Sequence, residues 1–274
     1  MDLEIGMMFW AGRDTLADVR GVGVSVGQLG IGPGVDLTPA FTAEWKDVLR
    51  RENFRVVTVV AAYEGEDYAD IPTVQRTVGF IPPATREVRE KRTLAISDFA
   101  AELGVKSIGC HIGFVPEDAS DPGYVVVRDM VRRVCDQAAR HGQTFALETG
   151  QEPAATLLQF IKDTDRPNLK INFDPANMIL YGTGDPIEAF EKLAPHVVSV
   201  HAKDGDWPAR DKPGSLGSER RLGEGSVGMQ RFVEVMKRSG YRGTVNVERE
   251  IEDQAQRLAD IRHAVTLLRG LTNA

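Results

Sequence analysis

The chain has 274 residues, 42% of them hydrophobic and 27% charged, which excludes a disordered or low-complexity protein. Its 40 acidic residues against 33 Lys and Arg leave a net charge of −7, which argues against a nucleic-acid partner, because phosphate contacts call for a positive face. No apolar run approaches the roughly 18 residues of a membrane span, and residues 1–10 lack the positive stretch that opens a signal peptide. Two cysteines, Cys110 and Cys135, form no disulfide framework and point to a reducing cytoplasm.

Short β-branched runs alternate with longer helical patterns along the chain. Strands are expected over 3–9, 22–26, 55–61, 106–112, 144–148, 170–174, 197–201 and 244–248. A short helix over 15–20 follows the first. Thr38-Pro39 reads as an N-cap followed by proline at the first helical position. Gly104 and Gly142 read as helix ends. Val127, Met130, Val131, Val134 and Ala138 fall on one helical face, as do Leu258, Ile261, Val265 and Leu268. Strand–helix alternation implies a parallel sheet, and eight units fit a single closed (β/α)8 TIM barrel spanning 1–274. A doubly wound sheet is the alternative, but the glycines of 21–27 lack the G-x-G-x-x-G spacing of its dinucleotide loop. Two long connections, 63–83 and 202–228, follow the third and seventh strands on the face where barrel enzymes place lids and binding loops.

Glu148, Asp174, His201 and Glu248 each end a strand, on strands five to eight. Neighbouring strands lie about 4.8 Å apart, so these side chains converge at one mouth. Three carboxylates there would repel one another, and a divalent cation removes the conflict. The donors suit one divalent metal, Mn2+ first, with Co2+, Zn2+ or Mg2+ as alternatives. Singly, each residue has a blander explanation: an acid at a strand end commonly caps the next helix, and a lone histidine is commonly structural. Alignment on four successive strands carries the argument.

Residues 147–149 (Leu-Glu-Thr), 172–178 (Asn-Phe-Asp-Pro-Ala-Asn-Met), 200–204 (Val-His-Ala-Lys-Asp), 222–225 (Leu-Gly-Glu-Gly) and 247–248 (Val-Glu) resemble the sugar phosphate isomerase/epimerase superfamily. That superfamily is also described as xylose isomerase-like TIM barrels, or AP endonuclease family 2, and includes endonuclease IV. The resemblance implies Glu148, Asp174, His201 and Glu248 as metal ligands, with Glu148 and Glu248 doubling as an acid/base pair. It also implies a small carbohydrate substrate and a homo-oligomer, since members are often dimers or tetramers. Two departures stand out. Ketose 3-epimerases carry a histidine where this chain has Asn177, and an arginine where it has Trp207. The five histidines (His111, His141, His196, His201 and His263) are too few for the trinuclear zinc site of endonuclease IV.

Further substrate contacts are expected from His111 at the end of strand four, from Asn177, and from Lys203, which shares a strand face with His201. Asp204 joins them, as does Glu152, which otherwise caps the helix opening at Pro153. Arg220 or Arg221 would clamp an anionic group where a ligand orders their loop, which otherwise reads as mobile and solvated, and Phe9 or Trp10 would either stack on a sugar face or pack as ordinary core. The expected reaction is metal-assisted enolisation of a sugar or sugar-like hydroxy-ketone, giving an isomerase or epimerase. The alternative is a metal-dependent lyase, such as a keto-inositol dehydratase or a 3-keto-glycoside β-eliminase. A non-catalytic sugar-binding barrel would be expected to lack the metal or one of the two glutamates.

Overall fold

Eight parallel strands close into a barrel in the computed structural model, which describes residues 3–273; Met1, Asp2 and Ala274 of the expected domain lie outside the described residues. The strands are β1 (Glu4–Trp10), β2 (Val26–Ile31), β3 (Arg55–Ala61), β4 (Ser107–Cys110), β5 (Thr144–Glu148), β6 (Leu169–Phe173), β7 (Val197–Ala202) and β10 (Thr244–Val247). They neighbour one another in chain order, and β10 pairs with β1 to complete the ring. Helices α1 (Leu16–Gly21), α2 (Pro39–Arg51), α4 (Arg86–Glu102), α5 (Pro122–Arg140), α6 (Ala154–Thr164), α8 (Pro186–Leu193), α9 (Met229–Arg238) and α10 (Gln254–Asn273) run between or after the strands. This is a (β/α)8 TIM barrel. Two connections carry extra elements: α3 (Ile71–Thr77) lies in the long loop after β3, and an antiparallel ribbon, β8 (Asp204–Asp206) with β9 (Ser218–Arg220), lies in the loop after β7. A short helix, α7 (Pro175–Tyr181), starts directly after β6. Among the described residues no helix is long and apolar enough to cross a membrane.

Local chemistry accounts for the helix boundaries. Thr38 accepts a hydrogen bond from the Phe41 N–H at 3.1 Å, with Pro39 in the first turn where no partner for its nitrogen is needed. Thr15 and Asp18 form a reciprocal capping box on α1. Gly104 and Gly142, at φ 76° and 64°, adopt the left-handed conformation that ends α4 and α5. The inward face of α5 is buried throughout, and Ile261, Val265 and Leu268 of α10 are likewise inside. Each such aliphatic side chain contributes about 1.5–3 kcal/mol by leaving water.

The second strand departs from expectation. It runs over Val26–Ile31 rather than 22–26, and Val22 instead caps α1. The cause is its glycines, which mask the strand pattern but are required by packing. A Cβ on Gly27 would strike the Met7 carbonyl oxygen, and one on Gly30 would strike the Trp10 ring. Both face their β1 partners directly, Met7 opposite Gly27 and Trp10 opposite Gly30. The β1 backbone at Met7 and the Trp10 ring therefore demand glycine at these two positions of β2.

A buried ion pair ties the two ends of the chain together. Arg257 of α10 donates to Asp14 at 2.6 and 3.2 Å, while Asp14 also accepts the Trp10 N–H at 2.9 Å. Arg257 is 1% exposed. The pair thereby fixes the end of β1 where it meets the barrel mouth.

Candidate metal centre

Glu148 ends β5, Asp174 and Glu248 follow the last residues of β6 and β10, and His201 lies near the end of β7. One ligand atom from each lies within 4.8 Å of the others, and all four side chains are buried. His201 Nδ1 is 3.0 Å from Glu148 Oε1, 3.3 Å from Glu248 Oε2 and 3.8 Å from Asp174 Oδ2. Asp174 is a helix cap and a donor candidate at once. Its Oδ1 accepts the Asn177 N–H at 3.0 Å, opening α7, whereas its buried Oδ2 has no hydrogen-bond partner. An unpartnered buried carboxylate oxygen is costly, and a cation among these donors would satisfy it. Three carboxylate oxygens and one imidazole nitrogen fit a divalent ion of the Mn2+, Mg2+, Co2+ or Zn2+ kind.

Gln28, in the middle of β2, was not among the expected site residues. Its Oε1 lies 2.6 Å from His201 Nε2, and its amide is oriented by donating to Asn172 Oδ1 at 3.0 Å. The Asn172 amide nitrogen also lies 3.0 Å from Nε2. With a cation among the carboxylates, the Gln28 oxygen would hold the proton on Nε2 and leave Nδ1, the nitrogen facing the carboxylates, as the ligand. The available signal is its place as the lone polar side chain of Val26–Ile31, a stretch that lies almost wholly beyond the strand expected over 22–26. Replacing Gln28 with leucine is expected to lower metal affinity about 10–100-fold with the barrel intact. Calorimetric titration of Mn2+ into both proteins tests this, and equal affinities would remove Gln28 from the role.

The electrostatics of the cluster draw in positive charge. Burial opposes protonation of His201, but Glu248 and Glu148 hold it well above the usual imidazole range. Burial likewise opposes the charge on Lys203, and Glu248 and Glu250 overcome it. Burial pushes the Asp174 carboxyl up. For Glu248, burial is outweighed by His201 and Lys203, which hold it well below the ordinary range.

The remaining expected residues divide into two groups. His111, Asn177 and Lys203 line a cavity of about 450 Å³ beside the cluster, together with Trp10, Tyr68 and Glu250. His111 Nε2 is 3.5 Å from Glu148 Oε2, and its Nδ1 is 3.1 Å from the Gln151 amide nitrogen. Asn177 Nδ2 donates to Glu148 Oε1 at 3.3 Å. Lys203 Nζ donates to Glu248 Oε2 at 3.1 Å and also pairs with Glu250. Asp204 and Glu152, by contrast, brace loops. The Asp204 carboxylate accepts the N–H groups of Gly205, Gly223, Gly225 and Val227, which fills its acceptor positions and leaves none for a substrate hydroxyl. Glu152 caps no helix; its Oε1 accepts the Val115 N–H at 2.9 Å. Arg220 pairs with Asp206, Arg221 lies 3.5 Å from Asp260, and Phe9 is buried in the core.

Burial pushes the Glu152 carboxyl up to about 7, against the pull of the Val115 N–H. The unfolded chain ionises this group first, so stability falls as pH rises from about 4.5 through about 7, by about 3 kcal/mol in all. Glu152→Gln keeps the acceptor oxygen and is expected to abolish that loss. Melting temperatures from pH 5 to 8 check it; parallel curves for the two proteins would refute it.

A family model described as a xylose isomerase-like TIM barrel matches residues 17–271. The xylose isomerase domain protein from Planctomyces limnophilus is 41% identical, over 99% of this chain and 98% of that one, with a TM-score of 0.93. A D-tagatose 3-epimerase-like protein shares the fold at 18% identity, over 99% and 98% of the chains, with a TM-score of 0.74. A probable 3-DHS dehydratase from Bacillus anthracis does so at 16% identity, over 95% and 98%, with a TM-score of 0.70. The chain spans about half the length, or less, of the curated relatives it matches: 52%, 40% and 28%.

Proposed function

This chain belongs to the xylose isomerase-like TIM barrel family, and we propose that it isomerises or epimerises a sugar or sugar-like hydroxy-ketone with one divalent metal ion, Mn2+ first among Co2+, Zn2+ and Mg2+. The observation that carries this reading is the convergence of Glu148, Asp174, His201 and Glu248, with the buried Asp174 Oδ2 left unpartnered. When bound there, the ion supplies Lewis acidity that makes the C–H beside the carbonyl easier to ionise.

The chain's own groups do the rest. Glu248 is held ionised by the neighbouring His201 and Lys203, as a base must be. It takes the proton from the carbon beside the carbonyl, and the C–H electron pair moves into an enediol system. Lys203 and His111 face the same cavity and offset the negative charge that develops on its oxygens. For Glu148, burial is outweighed by His111 and His201, so it too is held ionised. It first takes up a proton from solvent through the His111 ring 3.5 Å away and then returns that proton to carbon, with Asn177 at its other oxygen. Delivery to the opposite face of the same carbon inverts it, and delivery to the neighbouring carbon interconverts aldose and ketose. Asn177 and Lys203 hold the substrate hydroxyls. The reducing cytoplasm is a fitting compartment for the two buried free thiols, Cys110 and Cys135.

A lyase remains as the second reading, supported by Asn177. Asn177 stands where the ketose 3-epimerases carry a histidine, and an amide cannot relay a proton as an imidazole does. After the same proton abstraction, the electron pair would expel a β-substituent rather than recapture a proton. Proton NMR of metal-loaded protein with a panel of hydroxy-ketones in D2O separates these outcomes. Inversion with deuterium uptake, migration of the carbonyl, and a new alkene are the three signatures. No uptake above the chelator-treated control would end the enolisation reading.

A further inference from the structure

The cavity at the metal centre does not stand alone. A second chamber of about 590 Å³ opens beside it over the ends of β1, β2 and β10. The two share Met8, Trp10, Ala62, Glu248 and Glu250 as a common boundary. Each alone falls in the ~300–1,000 Å³ range that holds a whole small ligand.

The long loops wall the inner chamber on the side away from the second one. The Ile71 N–H donates to the Gly214 carbonyl at 2.9 Å, joining the loop after β3 to the loop after β7. Val74, Val78 and Tyr181 form a separate buried cluster beneath that junction, with Leu216 packed against it. The inner chamber is thus clasped on the side of these loops. On the far side of the outer chamber Arg13 donates to the Ile251 carbonyl and to Gln254 Oε1, joining the loop after β1 to the loop after β10 and walling that chamber in turn.

Trp10 sits where the chambers meet, and its position is built in. A Cβ on Gly30 would overlap its ring and approach Met8 Cε to 2.8 Å, so the indole lies across β2 only because that residue is glycine. Its backbone is pinned by Asp14, itself held by Arg257. An indole face is the side chain best suited to the apolar face of a sugar ring, and placing it on an anchored strand end limits its freedom to move. Charge in the outer chamber is mixed: Glu250 and Glu252 stand against Arg13 and Arg249. Arg249 is paired with Glu219 and Asp260, and Arg257, which also lines the chamber, with Asp14, so these two guanidinium groups are already neutralised.

We infer that the cleft takes an uncharged ketose glycoside, with the ketose in the inner chamber and the second sugar ring in the outer chamber, stacked on Trp10. This rests on the hydroxy-ketone reading above. The test compares metal-loaded protein with fructose and with its O-glycosides lactulose, turanose and palatinose, following binding by calorimetry and deuterium uptake by NMR. At least one glycoside is expected to bind tenfold or more tightly than fructose. Trp10→Ala, and Pro33→Trp, which fills the outer chamber, are expected to bring that ratio close to one. Trp10→Phe keeps a ring and should retain most of the ratio, which guards against a variant that fails to fold. Glycosides binding no better than fructose, or a ratio unchanged in both blocking variants, would overturn the inference while leaving the enolisation reading intact. No metal-dependent deuterium uptake from fructose or any glycoside would overturn both.

Discussion

Glu248→Gln is expected to reduce solvent-deuterium exchange into a bound ketose by about 10²–10⁴-fold, the usual worth of a positioned acid or base, and to weaken metal binding as well. The double effect follows from its position. Its Oε2 is 3.3 Å from His201 Nδ1 and 3.1 Å from Lys203 Nζ, so one carboxylate neutralises two buried cations and faces the cavity. The amide keeps the shape and loses the charge. Elemental analysis and exchange kinetics, measured at metal concentrations high enough to reload the variant, separate the two losses. Exchange that stays low in the reloaded protein assigns Glu248 the proton transfer. Exchange that recovers fully would leave it only a ligand. Glu148→Gln should behave similarly, because its partners are His201 at 3.0 Å and His111 at 3.5 Å.

Arg257→Met is expected to be the most damaging single change to stability away from the centre, at about 3–5 kcal/mol. The guanidinium is 1% exposed and Asp14 is 7% exposed, so removing the cation strands a carboxylate out of water. At about 2–4 °C per kcal/mol for a chain somewhat shorter than this one, the melting temperature should fall by roughly 10 °C. Removing both charges together, as Arg257→Met with Asp14→Leu, is expected to restore much of the loss, since no unpaired charge then remains buried. A double variant as unstable as the single one would show that packing and the Trp10 N–H bond, not the stranded charge, carry the cost. The same pair reaches the site through Trp10, so the single variant should also disturb the cleft.

Much of the barrel was legible because its signals are local. Alternation of side chains about a strand, caps such as Thr38 and turns such as Gly104 act within a few residues. Glu148, Asp174, His201 and Glu248 were legible for a related reason: each sits at the end of its own β-branched run, and a parallel barrel carries all such ends to one mouth. Gln28 was not legible, because the glycines of β2 obscured the strand that aims it at His201. Nor were the roles of Asp204 and Glu152, whose partners lie up to 23 and 37 residues away.

The sequence by itself determined the alternation, the composition of the donor set and hence the class of ion it suits. Side-chain chemistry and strand period are properties of short segments. Tertiary structure alone decided which acids face the cavity and which hold loops, which nitrogen of His201 points inward, and that two chambers meet at Trp10. Those outcomes depend on contacts such as Arg257 with Asp14, 243 residues apart, which only closure of the barrel brings together.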